Sequence, residues 1–188
     1  MRIVELIIEK DIDGIDAVSV VDFPAIESNF IALNKEHEIK LAQVDSEKRI
    51  LMGAALIPNK QIYRKVEEDE FYVFFSKDTV KKASELFLQN GNQSNATLQH
   101  QSKIDGMTVV ESWIIEDEQM DKSKKYGFSL PVGTWMISMK VENDEIWQKV
   151  KDGEVKGFSI EGFFADRLQM QKDEELINQI IEILNNGR

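Results

Sequence analysis

Short apolar segments rich in β-branched and aromatic residues alternate with polar turns along the chain, and this pattern limits it to a fold rich in strands. Clear cases are RIVELIIE (2–9), EFYVFFSK (70–77), MTVVESWIIED (107–117), GTWMISMKV (133–141) and VKGFSIEGFFA (155–165). Each has the length of a strand and lies next to turn-forming residues. RILMGAALIPNKQIYR (49–64) predicts a buried strand ending at Pro58-Asn59. AVSVVDFPAIESNFIAL (17–33), interrupted by Pro24, predicts two short extended pieces or an edge segment.

Helical spacing of apolar residues occurs in three places. A helix capped by Ser76 or Asp78 is predicted to end at Gly91. A shorter helix lies within 143–153, and the tail 173–186 is amphipathic. Many strands with a few helices predict an α+β fold, in which helices pack outside a mostly antiparallel sheet or barrel.

Composition excludes several classes of function. The 188 residues suffice for one substantial core. A net charge of −11 repels phosphates and disfavours nucleic-acid binding. The absence of cysteine excludes thiolate chemistry, and no apolar run is long enough for a membrane span. We therefore expect a soluble protein made in a cytoplasm, without nucleic-acid or membrane partners.

A calcium loop is the one metal site that the sequence suggests. DIDGID (11–16) begins like one, with Asp11 and Asp13, but Ile15 offers no side-chain oxygen and Asp16 occupies the place of the required glycine. A solvated turn is the better interpretation. We expect neither a metal nor a cofactor.

Two histidines are available as general bases. His37 lies in the charged run KEHEIK and is interpreted as a surface residue. His100 lies in the uncharged run TLQHQ, where strand alternation places it on the face of Ala96 and Leu98. The residues alone leave open whether it is a half-buried structural histidine or a functional one.

Ser159, in KGFSIEGFF, is the candidate nucleophile. Alternation places it on one strand face with Gly157 and Glu161, and glycines at 157 and 162 leave space for close approach of a peptide backbone. A serine needs a base within hydrogen-bond reach, and His100 is the best candidate. A strand serine is nevertheless more often structural.

The third member of a catalytic triad would be an acid that orients the imidazole. Alternation places Glu111 in an apolar stripe with Val109 and Trp113, where burial costs several kcal/mol unless the carboxylate is paired. An imidazole N–H would be a suitable partner for the carboxylate. Alternatively, Glu111 pairs with a Lys or Arg, or its strand face is half exposed to water. Glu161 is the alternative; Asp117 and Asp166 are weaker.

Four segments together resemble a known family. TLQHQ, VVESWIIED, DKSKKYGFSLPVGTWMISMKVENDEIW and VKDGEVKGFSIEGFF resemble the XkdF-type serine proteases of tailed phages. These belong to the prohead (procapsid maturation) protease class, which is similar to the herpesvirus assemblins. The resemblance covers about residues 50–165. Its most specific elements are a histidine at a strand end and a later serine in a KGFS-[IL]-E-G-[FY]-F strand.

The resemblance implies a compact β-barrel-like domain surrounded by a few helices. It implies that Ser159 is the nucleophile and His100 the general base. The third member varies across the class, and here an acid must serve; Glu111 is preferred and Glu161 is second. Backbone N–H groups near Ser159 or around Arg167 would hold the oxyanion.

The implied activity is that of a serine endopeptidase that cleaves scaffold and capsid-protein segments, and itself, during procapsid maturation. Its partners would be the scaffold and the major capsid protein as substrates, with a homodimer as a further expectation, in the host cytoplasm and procapsid interior. We expect a protease domain over 1–170 and an amphipathic helix over 171–188.

Two alternatives come from other classes. A catalytically silent protease fold could serve head assembly as a scaffold-binding module. In an unrelated α+β binding domain, Ser159 and His100 would never meet.

Overall fold

The computed structural model describes residues 2–9, 13–28, 31–32, 48–66 and 68–166. The strands in these residues are β1 (Arg2–Ile7), β2 (Gly14–Val21), β3 (Ile31–Ala32), β4 (Ile50–Leu56), β5 (Ile62–Val66), β6 (Asp69–Phe75), β7 (Ala96–Leu98), β8 (Ser102–Ile104), β9 (Met107–Ile114), β10 (Trp135–Val141), β11 (Gly157–Phe163) and β12 (Ala165–Asp166). The helices are α1 (Lys77–Gln89), α2 (Lys122–Lys125) and α3 (Asp144–Lys151), with a 3-10 turn at Asn92–Ser94. The predicted tail helix, most of the loop 34–49, and His37 lie outside the described residues.

The strands form three four-stranded sheets. Their orders are β12-β1-β6-β5, β3-β4-β10-β9 and β11-β2-β7-β8. Neighbouring strands are antiparallel except in the pairs β1–β6 and β2–β7. The prediction of a mostly antiparallel, strand-rich fold with few helices is therefore confirmed. The described strands form no closed barrel, so the barrel-like part of that prediction is not confirmed.

One apolar core joins the sheets and the helices. Its fully buried members include Val18, Val20, Leu51, Val80, Phe87, Trp135, Ile137 and Phe158. The rings of Phe87 in α1 and Trp135 in β10 pack edge to face, with centroids 5.4 Å apart. Each such side chain contributes about 1.5–3 kcal/mol on burial, so this core is the main source of stability.

The two predicted internal helices form where their capping residues indicate. The Ser76 side chain accepts a hydrogen bond from the Thr79 amide at the start of α1. The Asn143 side chain accepts one from the Ile146 amide at the start of α3. Both bonds satisfy amides that have no partner within the helix. No helix in the described ranges is long and apolar enough to cross a membrane.

The segment 17–33 holds the end of β2 and the short β3, one on each side of Pro24, as the alternative of two short extended pieces predicts; β2 itself lies in the interior of its sheet and is not an edge. It pairs with β11 on one side and with β7 on the other. Pro24 follows the end of β2 at Val21 and so does not interrupt the ladder. Val18 and Val20 are completely buried. The N-terminal part of the chain is thus built into the core.

Candidate active site

The candidate nucleophile lies on β11, on the face that points away from the core. Phe158 and Ile160 are in register with Val20 and Val18 of β2, and this face packs into the apolar core. Ser159 and Glu161 are in register with Ser19 and Ala17 on the opposite face. Ser159 and Glu161 therefore lie on one strand face, as the sequence predicts.

The two glycines of β11 are close to the protein's own chain. A Cβ atom at Gly157 would lie 2.5 Å from Pro24 Cγ, and one at Gly162 would lie 1.8 Å from the carbonyl oxygen of Gly14. Neither position could carry a side chain without displacing these atoms. The space that the sequence predicts for a substrate peptide is filled here by the first residue of β2, Gly14, and by Pro24, which follows the end of β2.

His100 lies in a tight turn, and this overturns the prediction that it shares the face of Ala96 and Leu98. β7 ends at Leu98, and Gln99 and His100 follow with φ of 52° and 58°. The turn is closed by a hydrogen bond of 3.0 Å from the Gln101 amide to the Leu98 carbonyl. Because left-handed residues break strand alternation, the imidazole leaves the core face and is half-exposed.

The turn brings His100 against Glu161. The imidazole Nδ1 lies 3.0 Å from Glu161 Oε1. An ionised carboxylate only accepts hydrogen bonds, so Nδ1 carries the proton of this contact. In the neutral imidazole, Nε2 is then the unprotonated nitrogen. That tautomer is the one a general base needs toward a serine hydroxyl.

Two further hydroxyl residues, which sequence reasoning missed, hold this pair. Thr97 Oγ1 donates to Glu161 Oε1, the same oxygen that contacts the imidazole. Ser19 Oγ accepts from the His100 backbone amide at 3.0 Å and donates to the Thr97 carbonyl at 3.3 Å. Neither residue belongs to a recognisable motif. Only the pairing of β2 with β7 brings them to the site.

Ser159 is poised beside this network but is not part of it. Its residue is 8% exposed, and none of the described residues forms a hydrogen bond with its Oγ. Its neighbour across the β11–β2 ladder is Ser19, whose oxygen holds the His100 backbone. The Ser159 hydroxyl therefore has no hydrogen-bond partner among the described residues, the His100 ring included.

Glu111, the preferred third member, lies in a different sheet with other partners. Its carboxylate forms an ion pair of 2.8 Å with Lys122 and accepts a hydrogen bond from Ser138. The β9–β10 register shifts between Val109 and Glu111, so Glu111 turns to the face opposite Val109. Burial alone would raise its pKa. Hydrogen bonds from Lys122 and Ser138 and the charge of Lys122 outweigh burial and hold the pKa below its ordinary value.

The weaker candidate acids also lie elsewhere. Asp117 Oδ1 accepts hydrogen bonds from the amides of Gln119 and Met120, as in a local turn. Asp166 is in register with Leu6 at the edge of another sheet. The structure thus gives His100 the alternative acid, Glu161, and our preference between the two glutamates is reversed. Arg167, considered for the oxyanion, lies outside the described residues.

Two surface cavities lie near this site. One of about 250 Å³ is lined by Asp16, Ala17, Asn95, Ala96, Thr97 and Lys103. The other, of about 490 Å³, is lined by Asp22, Phe23, Pro24, Glu27 and Lys156. The first borders Ala17, opposite Glu161, and the second borders Gly157 through Pro24. Ser159 lies between Gly157 and Glu161 along β11, but no residue of β11 itself lines either cavity.

Serine hydrolases use a serine, a histidine and a carboxylate; here Ser159 and Glu161 share a strand face, and Glu161 contacts the His100 ring. The described residues contain no group of three or more acidic or histidine side chains that could hold a metal. Comparison with known families gives the same class: the family described as "Putative phage serine protease XkdF" matches residues 38–169. The chain belongs to this family of phage serine proteases, as its sequence motifs predict.

A curated relative is also similar to the chain. It is a Bacillus subtilis (strain 168) protein with the name "Uncharacterized protein YqbD", 29% identical over 160 residues. The match covers 82% of this chain but 46% of the relative, so the chain spans about half of the relative's length. No solved structure matches the chain.

Proposed function

We propose that the protein is a serine endopeptidase of a tailed phage, in which Ser159 is the nucleophile, His100 the general base and Glu161 the acid that orients the imidazole. The observation that carries the proposal is the contact between His100 Nδ1 and Glu161 Oε1, two residues along β11 from Ser159. It selects the tautomer that a serine protease requires. Membership of a phage serine protease family supports the same reaction class.

The reaction proceeds in two stages. Ser159 Oγ attacks the carbonyl carbon of a peptide bond while its proton passes to His100 Nε2. The tetrahedral intermediate collapses, the C–N bond breaks, and the proton passes from Nε2 to the leaving amine. Water, deprotonated by the same nitrogen, then attacks the acyl ester, the bond between the acyl carbon and Ser159 Oγ breaks, and Nε2 returns the proton to Oγ. Glu161 stabilises the imidazolium in both stages without taking its proton.

The surroundings of the site suit a polypeptide substrate. His100 and Glu161 are 43% and 31% exposed, so an extended chain can reach them from solvent. The two cavities, which border Ala17 and Pro24 beside Glu161 and Gly157, offer places for side chains on either side of the cleaved bond. The net charge of −11 attracts basic segments.

The substrates that we propose are segments of the phage scaffold and major capsid protein, together with the protease itself. Cleavage would occur during procapsid maturation, in the host cytoplasm and inside the procapsid, with the protease acting alone or as a homodimer. The second candidate function is a silent protease fold that binds scaffold without cutting it.

Co-expression with the scaffold and the major capsid protein tests this function. New protein termini are mapped by mass spectrometry for wild type, Ser159→Ala and Ser138→Ala. Ser138 is a matched control because it is also a buried strand serine, in another sheet. We expect new termini with wild type and Ser138→Ala only. Identical fragments from wild type and Ser159→Ala would contradict the proposal and favour the silent module.

A further inference from the structure

Three hydroxyl residues lie in register across three neighbouring strands. Ser159 of β11 is paired with Ser19 of β2, and Ser19 is paired with Thr97 of β7. Residues in register point to the same face, here the face opposite the core. We call Ser159, Ser19 and Thr97 the hydroxyl row. Only Ser159 has a role in the reaction proposed above, which leaves the other two to be explained.

We propose that Ser19 and Thr97 are positioning residues for the reaction, Ser19 for the general base and Thr97 for its acid. This proposal rests on the function proposed for His100 and Glu161. It extends that function to two residues that touch neither the substrate nor the reacting atoms. It also gives a catalytic purpose to β2, which lies before residue 38, where the match to the protease family begins.

Ser19 acts on the backbone of the base. Left-handed backbone is unfavourable for residues other than glycine, and it persists only where surrounding contacts enforce it. His100 has a φ of 58°, and its amide donates to Ser19 Oγ at 3.0 Å. Ser19 is completely buried and fixed in turn by its bond to the Thr97 carbonyl. The hydroxyl therefore anchors the turn over the sheet face.

Thr97 acts on the acid. Its Oγ1 donates to Glu161 Oε1, the oxygen that also contacts His100 Nδ1. A carboxylate on a strand has rotational freedom about its terminal bonds, and a second donor restricts it to one orientation. His100 is thereby held at two points. Ser19 holds its backbone amide, and the Thr97–Glu161 pair holds its ring.

The test compares Ser19→Ala and Thr97→Val with Ser138→Ala in the full chain. Ser138 is the matched control because it is completely buried in an interior strand and donates a hydrogen bond to a glutamate. It lies on β10, in a different sheet from β2, β7 and β11. Two quantities are measured: the rate at which a fluorophosphonate probe labels Ser159, and the titration of the His100 ring by NMR. Thr97→Val keeps the shape of the side chain and serves if Ser19→Ala fails to fold.

We expect Ser19→Ala and Thr97→Val to slow labelling by about 10- to 100-fold, since small misplacements of a catalytic group have effects of that order. Both should also change the His100 titration. Ser138→Ala should alter neither the labelling rate nor the His100 titration, even if it lowers the melting temperature as much as Ser19→Ala and Thr97→Val do. In a His100→Ala background, Ser19→Ala should cause no further loss of labelling, because it acts through the base.

Several results would overturn the proposal. The first is that Ser19→Ala and Thr97→Val leave both the labelling rate and the His100 titration unchanged. The second is that their effects equal those of Ser138→Ala. The third is that Ser19→Ala slows labelling by its full factor again when His100 is already alanine. If wild type itself is not labelled, the proposed function fails. The titration of the His100 ring then still decides whether Ser19 and Thr97 position His100.

Discussion

Two glutamates of the same strand-rich domain have opposite surroundings. Glu161 shares its Oε1 between His100 and Thr97, and among the residues that the structure describes it forms no ion pair with a lysine or arginine. Glu111 is bound to the Lys122 ammonium, which supplies the charge that its carboxylate needs. An acid already paired with a lysine has little capacity to orient an imidazole. The partner, and not the residue type, therefore decides which glutamate can serve in a triad.

Replacing each glutamate by glutamine separates the two roles. Glu161→Gln should slow the labelling of Ser159 by a fluorophosphonate by about 10²- to 10⁴-fold, because an amide stabilises neither the required tautomer nor the imidazolium. Glu111→Gln should leave the labelling rate almost unchanged. The measurement is the second-order labelling rate constant at neutral pH, with thermal unfolding as a check on folding. A larger loss from Glu111→Gln than from Glu161→Gln would reverse the assignment.

The lowered pKa of Glu111 predicts a pH effect on stability instead. A carboxyl group whose pKa is lower when folded stabilises the fold above its unfolded pKa, and this contribution is lost as the pH falls through the folded pKa. The stability difference between wild type and Glu111→Gln should thus be largest near neutral pH and shrink below about pH 4. It should stay under about 1 kcal/mol, because both partners are more than two-fifths exposed. A difference that grows on acidification would contradict this.

Sequence reasoning selected Ser159 and His100 as candidates but did not predict the geometry that surrounds them. Strand alternation assumes an uninterrupted extended backbone. The register shift before Glu111 and the left-handed turn at His100 each break that assumption and move a side chain to the other face. Neither leaves a clear signal, since no glycine marks either place. The contact of Glu161 with His100 depends on the second of these breaks.

At the level of elements, β2 is the strand on which the site depends. It separates β11, which carries Ser159, from β7, which leads into His100. The helices α1 and α3 and most strands could be predicted from their caps and apolar patterns, whereas the short helix α2 was not predicted. The central place of β2 could not, because its partners β11 and β7 are distant in sequence and a Pro24 interruption suggested an edge. Non-local pairing of this kind is not encoded in local spacing.

The β11–β2 ladder makes one substitution especially unfavourable. In Gly162→Ala the new Cβ would lie 1.8 Å from the Gly14 carbonyl oxygen, an impossible contact with backbone. We expect a loss of about 3 kcal/mol or more in the free energy of unfolding, measured by denaturant titration. Phe163→Ala is the control on the same strand, because that side chain is 73% exposed and its removal should cost little. Equal stability of both variants would show that β11 and β2 do not pair as described.

At the level of the whole molecule, the N-terminal strands belong to the same core as the residues that match the protease family. β1 pairs with β6 and β12, and β2 pairs with β11 and β7. The completely buried Val4, Val18 and Val20 all precede residue 38, where the family match begins. The matched region 38–169 therefore lacks part of the core that it needs.

A fragment comparison tests this dependence. A chain of residues 38–169 should fail to fold, as judged by circular dichroism and the dispersion of NMR signals, because removing β1 and β2 leaves two sheets without an interior strand. A chain of residues 1–169 is the control and retains every described element. We expect it to fold cooperatively and to label at Ser159. A stable, cooperatively folded 38–169 fragment would contradict the inclusion of β2 in the core.

Covalent labelling of the purified full chain tests the central claim most directly. A fluorophosphonate should form an adduct in which Ser159 Oγ replaces fluoride on phosphorus, located by peptide mapping with mass spectrometry. We predict one adduct, on Ser159, that is absent in Ser159→Ala and strongly slowed in His100→Ala and Glu161→Gln, while Ser138→Ala reacts like wild type. No adduct on Ser159, or one that forms equally fast without His100, would contradict the assignment of Ser159, His100 and Glu161 as a catalytic triad.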